Sequence, residues 1–372
     1  MTGKKYLYLV GLAWVLLMAI PFTKSYAQEH HAAEAKAETK EEASKFNASE
    51  IIFGHVSDAH DWHFFSIGEN HISLPLPIII YSKTKGLSVF SSSKFGHEGH
   101  REAYNGYTLD EHNKIASEDK SESFYDFSIT KNVLSMLIGV VLLLIIMLTV
   151  AKKYKQNGAN VAPSGFQNAL EPVIMFVRDD VAKPTLGAKY QKYMPLLLTL
   201  FFFIWINNML GLLPGGANFT GNITVTACLA LISFIVLLIN ANKHFWGHLL
   251  NPPGVPLPIK FLLVPIEIMS LFIKPIALAI RLFANILAGH IIILSIISLI
   301  FIFSKMGQNP AAGYGFSIVS LAFSIFMFFL ELMVAAIQAF IFTNLTAVFI
   351  GQAIEDGHGH EEHEHHHEEA TA

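Results

Sequence analysis

From residue 128 onward the chain runs in long apolar stretches punctuated by short polar clusters, and this alternation sets its elements. Val133 to Val150 is a first membrane span, closed by the basic cluster Lys152, Lys153 and Lys155, which places that end in the cytoplasm by the positive-inside rule. Residues 166 to 189 mix Arg178, Asp179, Asp180, Lys183 and Lys189 with apolar positions, the pattern of an amphipathic helix lying in the cytoplasmic interface. Tyr193 to Leu213 reads as a second span followed by an external turn at Gly215-Gly216. Ile223 to about Leu238 reads as a third, ending at Asn242-Lys243-His244. Two longer stretches follow, Pro258 to Phe303 and Phe316 to Ile354, separated by the polar turn Ser304 to Pro310. As helices these would measure about 69 Å and about 58 Å, against a hydrocarbon core of roughly 30 Å. Neither stretch has a polar turn near its middle, which favours two steeply tilted helices forming a hairpin.

The first part of the chain is patterned differently. Lys4-Lys5, an apolar stretch from Tyr6 to Ile20 and the small-x-Ala sequence Ser25-Tyr26-Ala27 give residues 1–27 the form of a signal peptide; a retained N-terminal span is the other reading. Residues 28–50 are rich in Ala, Glu and Lys and low in apolar content, as in a flexible linker. Residues 51–127 carry short aromatic and β-branched segments, His63–Ile67, Leu76–Tyr81 and Leu87–Phe90, broken by Gly, Pro and Asn. They read as a small β-rich exported domain. Residues 128–354 form the membrane domain, and 355–372 a His/Glu-rich cytoplasmic tail.

Composition agrees with an all-α polytopic membrane protein preceded by that β-rich domain: 52% of the 372 residues are hydrophobic, 15% are charged and thirty are phenylalanine. The single cysteine, Cys228, excludes a disulfide framework or a cysteine metal site. A net charge of -4, with acidic, His-rich ends, argues against nucleic acid as a partner.

Within this apolar background a few polar residues stand out. Arg281 cannot lose its charge, and placing it at bilayer depth costs about 3 kcal/mol or more. Glu267, Lys274 and Arg281 are seven residues apart, and Asn285 follows Arg281 by four, so all four share one stripe of a helix. Such a stripe must face protein or water. His290, nine residues past Arg281, faces elsewhere. In the last stretch the polar positions are Glu331, Gln338, Thr343, Asn344 and Thr346. Antiparallel packing about the 304–310 turn would set His290 near Glu331 and Arg281 near Gln338. Imidazoles titrate near neutrality and desolvated carboxyl groups move toward the same range, so this set can serve as a proton path. A fixed guanidinium can pair with an arriving carboxylate. Helix gluing is the other role open to Asn285 and Gln338.

Arg281-Leu-Phe-Ala-Asn285 with Ala288-Gly289, Pro265-Ile-Glu267, Lys274-Pro275 and Gln338-Ala-Phe-Ile-Phe342 resemble subunit a of the F-type ATP synthase over about residues 125–354. Asn208-Met-Leu-Gly-Leu-Leu-Pro214 and Thr220-Gly-Asn-Ile-Thr-Val-Thr226 support the match. The resemblance implies a proton-translocating stator subunit of a bacterial inner membrane, with a periplasmic N-terminal domain and a cytoplasmic C-terminus. Its partners would be the c-subunit ring, the peripheral-stalk b subunits and the lipid bilayer. Arg281 would face the ring carboxylate with Asn285 and Gln338 beside it, His290 and Glu331 would line the external half-channel, and Glu267 and Lys274 belong to the same translocation set. The His/Glu pair is exchanged relative to many bacterial members, and Gly211 stands where some carry an acid. Sodium as the coupling ion is the alternative.

The string His363-Glu-His-His-His367 matches HExxH but lies in a short polar tail. His55, His60 and His63, or His97 and His100, are candidate metal ligands set against a surface role. The chain has no P-loop or dinucleotide fingerprint, so no cofactor, ATP binding or catalytic site of its own is expected.

Overall fold

A computed structural model describes residues 57–67, 70–96, 102–110, 113–119, 122–158, 165–213, 216–252, 254–304 and 310–354. The readings made above for residues 1–56 and 355–372, and for His97, His100 and Gly215, lie outside these.

Seven short strands precede the helices: β1 Asp61–Ile67, β2 Asn70–Pro75, β3 Pro77–Ser82, β4 Gly86–Ser91, β5 Tyr107–Leu109, β6 Ile115–Ser117 and β7 Phe124–Asp126. They form antiparallel pairs β1-β2 and β5-β6, and a three-stranded sheet in the order β4-β3-β7. Alternation along β3 turns Ile78 and Ile80 inward, where they pack with Phe95, Tyr107 and Ile115. The segments β2, β5, β6 and β7 escape the sequence reading because three of them are three residues long and all carry polar positions.

This region is tied to the first helix, α1 (Lys131–Asn157), by backbone bonds: Phe127 N–H donates to Ile79, Ile129 to Pro77 and Lys131 to Ala59, at 2.8, 3.1 and 2.9 Å. Thr130 caps α1 by accepting from Val133 N–H, and the Asp58 carboxylate accepts from Asn132 N–H at 3.2 Å. A carboxylate at a helix N-terminus complements the helix dipole.

The helices continue as α2 (Phe166–Phe176), a π-helical turn Val177–Ala182, α3 (Lys183–Leu186) and α4 (Tyr190–Gly211), then α5 (Ile223–Asn240), α6 (Lys243–Leu250), α7 (Leu257–Phe303) and α8 (Pro310–Ile354). Among the described residues, five helical segments are long and apolar enough to cross a membrane. The segment 166–189 leads almost without interruption into α4, so it is one arm of a bent helical run.

Helices α7 and α8, of 47 and 45 residues, are each a single helix. They lie antiparallel: Phe303 stacks on Phe316 at 3.8 Å, Ser320 Oγ donates to Ile296 O at 2.6 Å, and Gly289 lies against Glu331. Helix α8 begins at Pro310, six residues before the apolar run read from sequence. Proline's fixed φ suits the first helical turn, and the two intervening glycines, Gly313 and Gly315, are absorbed into the helix. The core gathers Leu197, Ile204, Leu229, Leu282, Phe342 and Ile350, each with little or no exposure. It fixes α4, α5, α7 and α8 around the middle of the bundle.

Candidate functional site

Helix α7 buries one side and leaves the other bare. Leu271, Pro275, Leu278, Ala279, Leu282 and Ile286 turn inward, whereas Lys274, Ala277, Arg281, Ala284, Asn285 and Ala288 are exposed. The spacing of these exposed positions is that of one helical face. Among the described residues Arg281 has no ion-pair or hydrogen-bond partner, and the alanines on either side leave room for a close approach to its guanidinium. Lys274 lies on the same exposed stretch, its Nζ 5.8 Å from the centre of the Phe349 ring. Glu267, nearer the start of α7, is half-buried, and its Oε2 is enclosed without a partner.

On α8 the polar groups point the other way. Glu331 is 4% exposed, and neither carboxylate oxygen accepts a hydrogen bond. Its carboxylate sits over Gly289: a Cβ there would be 2.9 Å from Oε1. An alanine at 289 would make the carboxylate shift. His290 is the next residue, half-buried, and it does not bond Glu331. Gln338 is 5% exposed, and no hydrogen bond joins it to Arg281, which faces outward. The structure thus sets Glu331 and Gln338 on the buried side of α8, and Arg281 and Asn285 on the open side of α7. Thr343 and Thr346, fully buried, donate to the carbonyls one turn back, and Thr346 also reaches Ser233 Oγ at 3.1 Å.

A second set of buried polar groups adjoins Glu331, and the sequence reading used it only as motif support or missed it. One turn along α8, the Ala335 carbonyl accepts from Asn208 Nδ2 at 3.2 Å, and Asn208 Oδ1 accepts from Thr220 at 2.7 Å. Neighbouring Asn207 has no exposure; its Nδ2 donates to Phe203 O at 2.8 Å and its Oδ1 has no partner. That oxygen lies against Gly139 of α1, where a Cβ would come within 2.6 Å. On the same side of α1, Asn132 is 5% exposed with Oδ1 unpartnered, and Ser135 donates to Ala217 O at 3.4 Å. Asn218 accepts from Gly221 N–H and leaves Nδ2 unpartnered. The legible signal was paired amides at the ends of apolar runs, Asn132 opening one and Asn207-Asn208 closing another. What brings them together is the packing of α1 on α4.

Unpartnered polar atoms at this depth are costly, and in proteins they are ordinarily satisfied by water or by another group. Four side chains with such atoms, Asn132, Asn207, Asn218 and Glu331, draw on α1, α4, the α4–α5 connection and α8. The arrangement is a set of buried, unpartnered polar groups on α1, α4 and α8, with the exposed Arg281 on the open face of α7. Among the described residues no three His, Cys, Asp or Glu side chains come together to hold a metal.

The family model described as ATP synthase A chain matches residues 133–351, and a model described only as a domain of unknown function matches residues 51–135. A protein named ATP synthase subunit a from Chloroherpeton thalassium is 44% identical over 243 residues, 64% of this chain and 71% of that protein. One of the same name from Pelodictyon phaeoclathratiforme is 46% identical over 64% of this chain and 68% of its own length. Another from Myxococcus xanthus is 39% identical over 66% and 79%.

Proposed function

Since the chain belongs to the ATP synthase A chain family, a multi-pass membrane component of the ATP synthase that serves ion transport and ATP synthesis, we propose that it is the stationary proton channel against which a ring of c subunits turns. The observation that carries this reading is Arg281, a permanent cation without a partner among the described residues, displayed on an alanine-lined face of an apolar helix. A charge in that position needs a carboxylate from another chain, because lipid offers none.

The residues then divide into three roles. Protons from the periplasmic side pass along the unpartnered amides of Asn132, Asn207 and Asn218 to Glu331 and His290. From there they neutralise a ring carboxylate that has left Arg281, so that the site can enter lipid. After nearly a full turn the carboxyl group releases its proton on the cytoplasmic side, where Glu267 and Lys274 lie nearer the start of α7, and returns ionised to Arg281. The guanidinium cannot carry a proton, so it separates the two half-paths. Asn285, one turn from Arg281, shares the contact face, and Gln338 holds the buried side of α8. The peripheral-stalk b subunits anchor the chain against the torque. The N-terminal strand region lies in the periplasm and the C-terminus in the cytoplasm, in keeping with Lys152, Lys153 and Lys155 at the far end of α1.

Arg281→Ala in the assembled complex tests this. In inverted membrane vesicles, ATP-driven acidification followed with a quenched dye is expected to vanish while the complex still assembles. Unchanged pumping would refute the reading.

A further inference from the structure

Over its first half, helix α8 is patterned inside out. Between Gly313 and Glu331 its buried positions are Gly313, Ser320, Ser324 and Glu331, while Ile318, Leu321, Phe323, Phe326 and Phe329 are exposed. The contact with α7 is made by small and polar side chains, and the bulky apolar ones point away. We propose that this contact is a second branch of the external proton path, running from the open end of the hairpin at Ser304 to Glu331, with the Ser324 hydroxyl as its relay. In the proton-channel function proposed above, on which the inference rests, that end of the hairpin is periplasmic.

The contacts between the two helices place these groups on one line. Gly313 lies against Ser304, Phe316 stacks on Phe303, Ser320 Oγ donates to Ile296 O at 2.6 Å, and the Glu331 carboxylate sits over Gly289. In the register those contacts set, the Glu331 backbone is opposite the turn of α7 that precedes Gly289. Its carboxylate therefore leans toward Ser324, as helix side chains lean toward the N-terminus. Ser324 is one turn from Ser320 and two turns, about 10 Å along the axis, from Glu331.

Small residues let helices approach closely, and that alone would account for a line of serines. It does not account for Ser324. Ser295, Ser298, Thr343 and Thr346 each donate to the backbone carbonyl one turn back, at 2.7 to 2.8 Å, and Ser320 donates across the contact. The nine-tenths-buried Ser324 carries the one enclosed hydroxyl without a partner among the described residues. Both Glu331 oxygens are in the same condition. Water ordinarily satisfies such atoms, and roughly two molecules span the interval between hydroxyl and carboxylate. Ser320 donates its hydrogen to Ile296 and keeps its lone pairs open to water from the Ser304 end. A proton arriving from that end adds to a lone pair of Ser324 Oγ as the hydroxyl hydrogen leaves toward Glu331. Rotation about the Cβ–Oγ bond restores the starting state, so no other reactant is consumed. Among the described residues, the titratable groups beside this line are Glu331 on α8, His290 next to Gly289 on α7, and the exposed Tyr314 near its outer end.

Ser324→Thr and Ser324→Val add nearly the same volume, but only the first keeps a hydroxyl, so the pair separates relay from packing. The complete synthase is reconstituted in liposomes with its ATP-forming side outward, so that the lumen bathes the periplasmic side. The initial rate of ATP synthesis is read at alkaline and at acidic lumen pH, with the total driving force held constant by a potassium diffusion potential. With an alkaline lumen, where proton supply limits the rate, Ser324→Val should be several-fold slower than Ser324→Thr. It should not be inactive, because the amides of Asn132, Asn207 and Asn218 serve the other branch. With an acidic lumen the difference should shrink. Ser298→Ala, whose native hydroxyl donates to Leu294 O, should match the unaltered enzyme at both. Equal rates for Ser324→Thr and Ser324→Val overturn the inference, as does a deficit of the same size at both pH values, which would mark Ser324 as packing. A matching deficit in Ser298→Ala overturns it too, since the hairpin would then respond to any lost hydroxyl. Arg281→Ala run in parallel separates the two readings. Coupled synthesis surviving that change refutes the channel function, whereas its loss beside equal rates for the two Ser324 variants refutes only the second branch.

Discussion

At the scale of single residues, the strand region is organised around one carboxylate. Glu122 Oε1 accepts from Ser82 at 2.5 Å, Thr84 at 2.9 Å and Tyr107 at 3.2 Å, while Oε2 accepts from Ser117 at 3.1 Å and pairs with Lys85 at 2.9 Å. The Ser82 hydroxyl foremost, then Lys85, Thr84 and Ser117, stabilise the ionised form and bring its pKa from 4.5 down to about 2. A depressed folded-state pKa means that its stabilisation is complete above 4.5 and is lost as pH falls from there toward about 2. Pepsin cleavage of the strand region in the full-length membrane protein should therefore accelerate across that window. Glu122→Gln, with one acceptor oxygen and an amide that repels Lys85, should be cut readily already at its upper end. Identical acid profiles for the two proteins would contradict this role. None of the hub was legible in the sequence, because its members are spread over forty residues of polar, short-stranded chain and meet only through β3 and the β5-β6 pair. Arg281 was legible for the opposite reason. A permanent cation inside an apolar run needs no tertiary information to demand a partner.

At the scale of elements, hydropathy reads the helices well and their ends poorly. Each span found from the apolar runs is present, but α1 continues through Lys152, Lys153 and Lys155, and α8 starts at Pro310, because helical hydrogen bonding continues past the point where hydrophobicity stops. The end of α8 is fixed by contacts that no periodicity reveals. Lys189 Nζ donates to Ile354 O at 3.1 Å and Asn242 N–H to Ala353 O at 2.9 Å, satisfying carbonyls that the last turn leaves free. Between them Gly351 lies against the Thr185 carbonyl, and a Cβ there would run into that backbone oxygen. Neither side can give way by a side-chain rotation. Gly351→Ala should push α8 off the Lys183–Leu186 turn and destabilise the bundle by about 1–3 kcal/mol, the usual range for overpacking. The free thiol of Cys228, half-buried on α5, reports this. Its reaction with a maleimide on heating should begin at a lower temperature in the variant. Gly247→Ala, where an added Cβ meets nothing within 4 Å, is the matched control and should leave the profile unchanged.

At the scale of the whole molecule, the two polar systems face opposite ways, and that division is a tertiary property. Spacing alone put Arg281, Asn285 and Lys274 on one stripe, but it could not say which stripe of α7 the other helices cover. Packing of Leu271, Leu278, Leu282 and Ile286 into the bundle decides it and leaves Ala277, Arg281, Ala284 and Ala288 outside. An alanine face carrying Arg281, with Lys274 two turns away, is poorly suited to lipid and well suited to a closely packed helix that supplies a carboxylate. Helix α1 also has a bare face, with Ile138, Val141, Leu144, Ile145 and Leu148, but it is mainly aliphatic, without a charge at mid-helix, and fits acyl chains. The two surfaces can be told apart in the assembled complex after Cys228→Ser removes the native thiol. A cysteine at 284 carrying a photoreactive maleimide should form an adduct with a c subunit on illumination, and ATP-driven pumping should stop as the adduct accumulates. The same probe at 145 should react with lipid and leave pumping intact. An adduct to the ring from 145 and none from 284 would move the rotor contact to α1, and Arg281 would then need its counter-charge from some other chain.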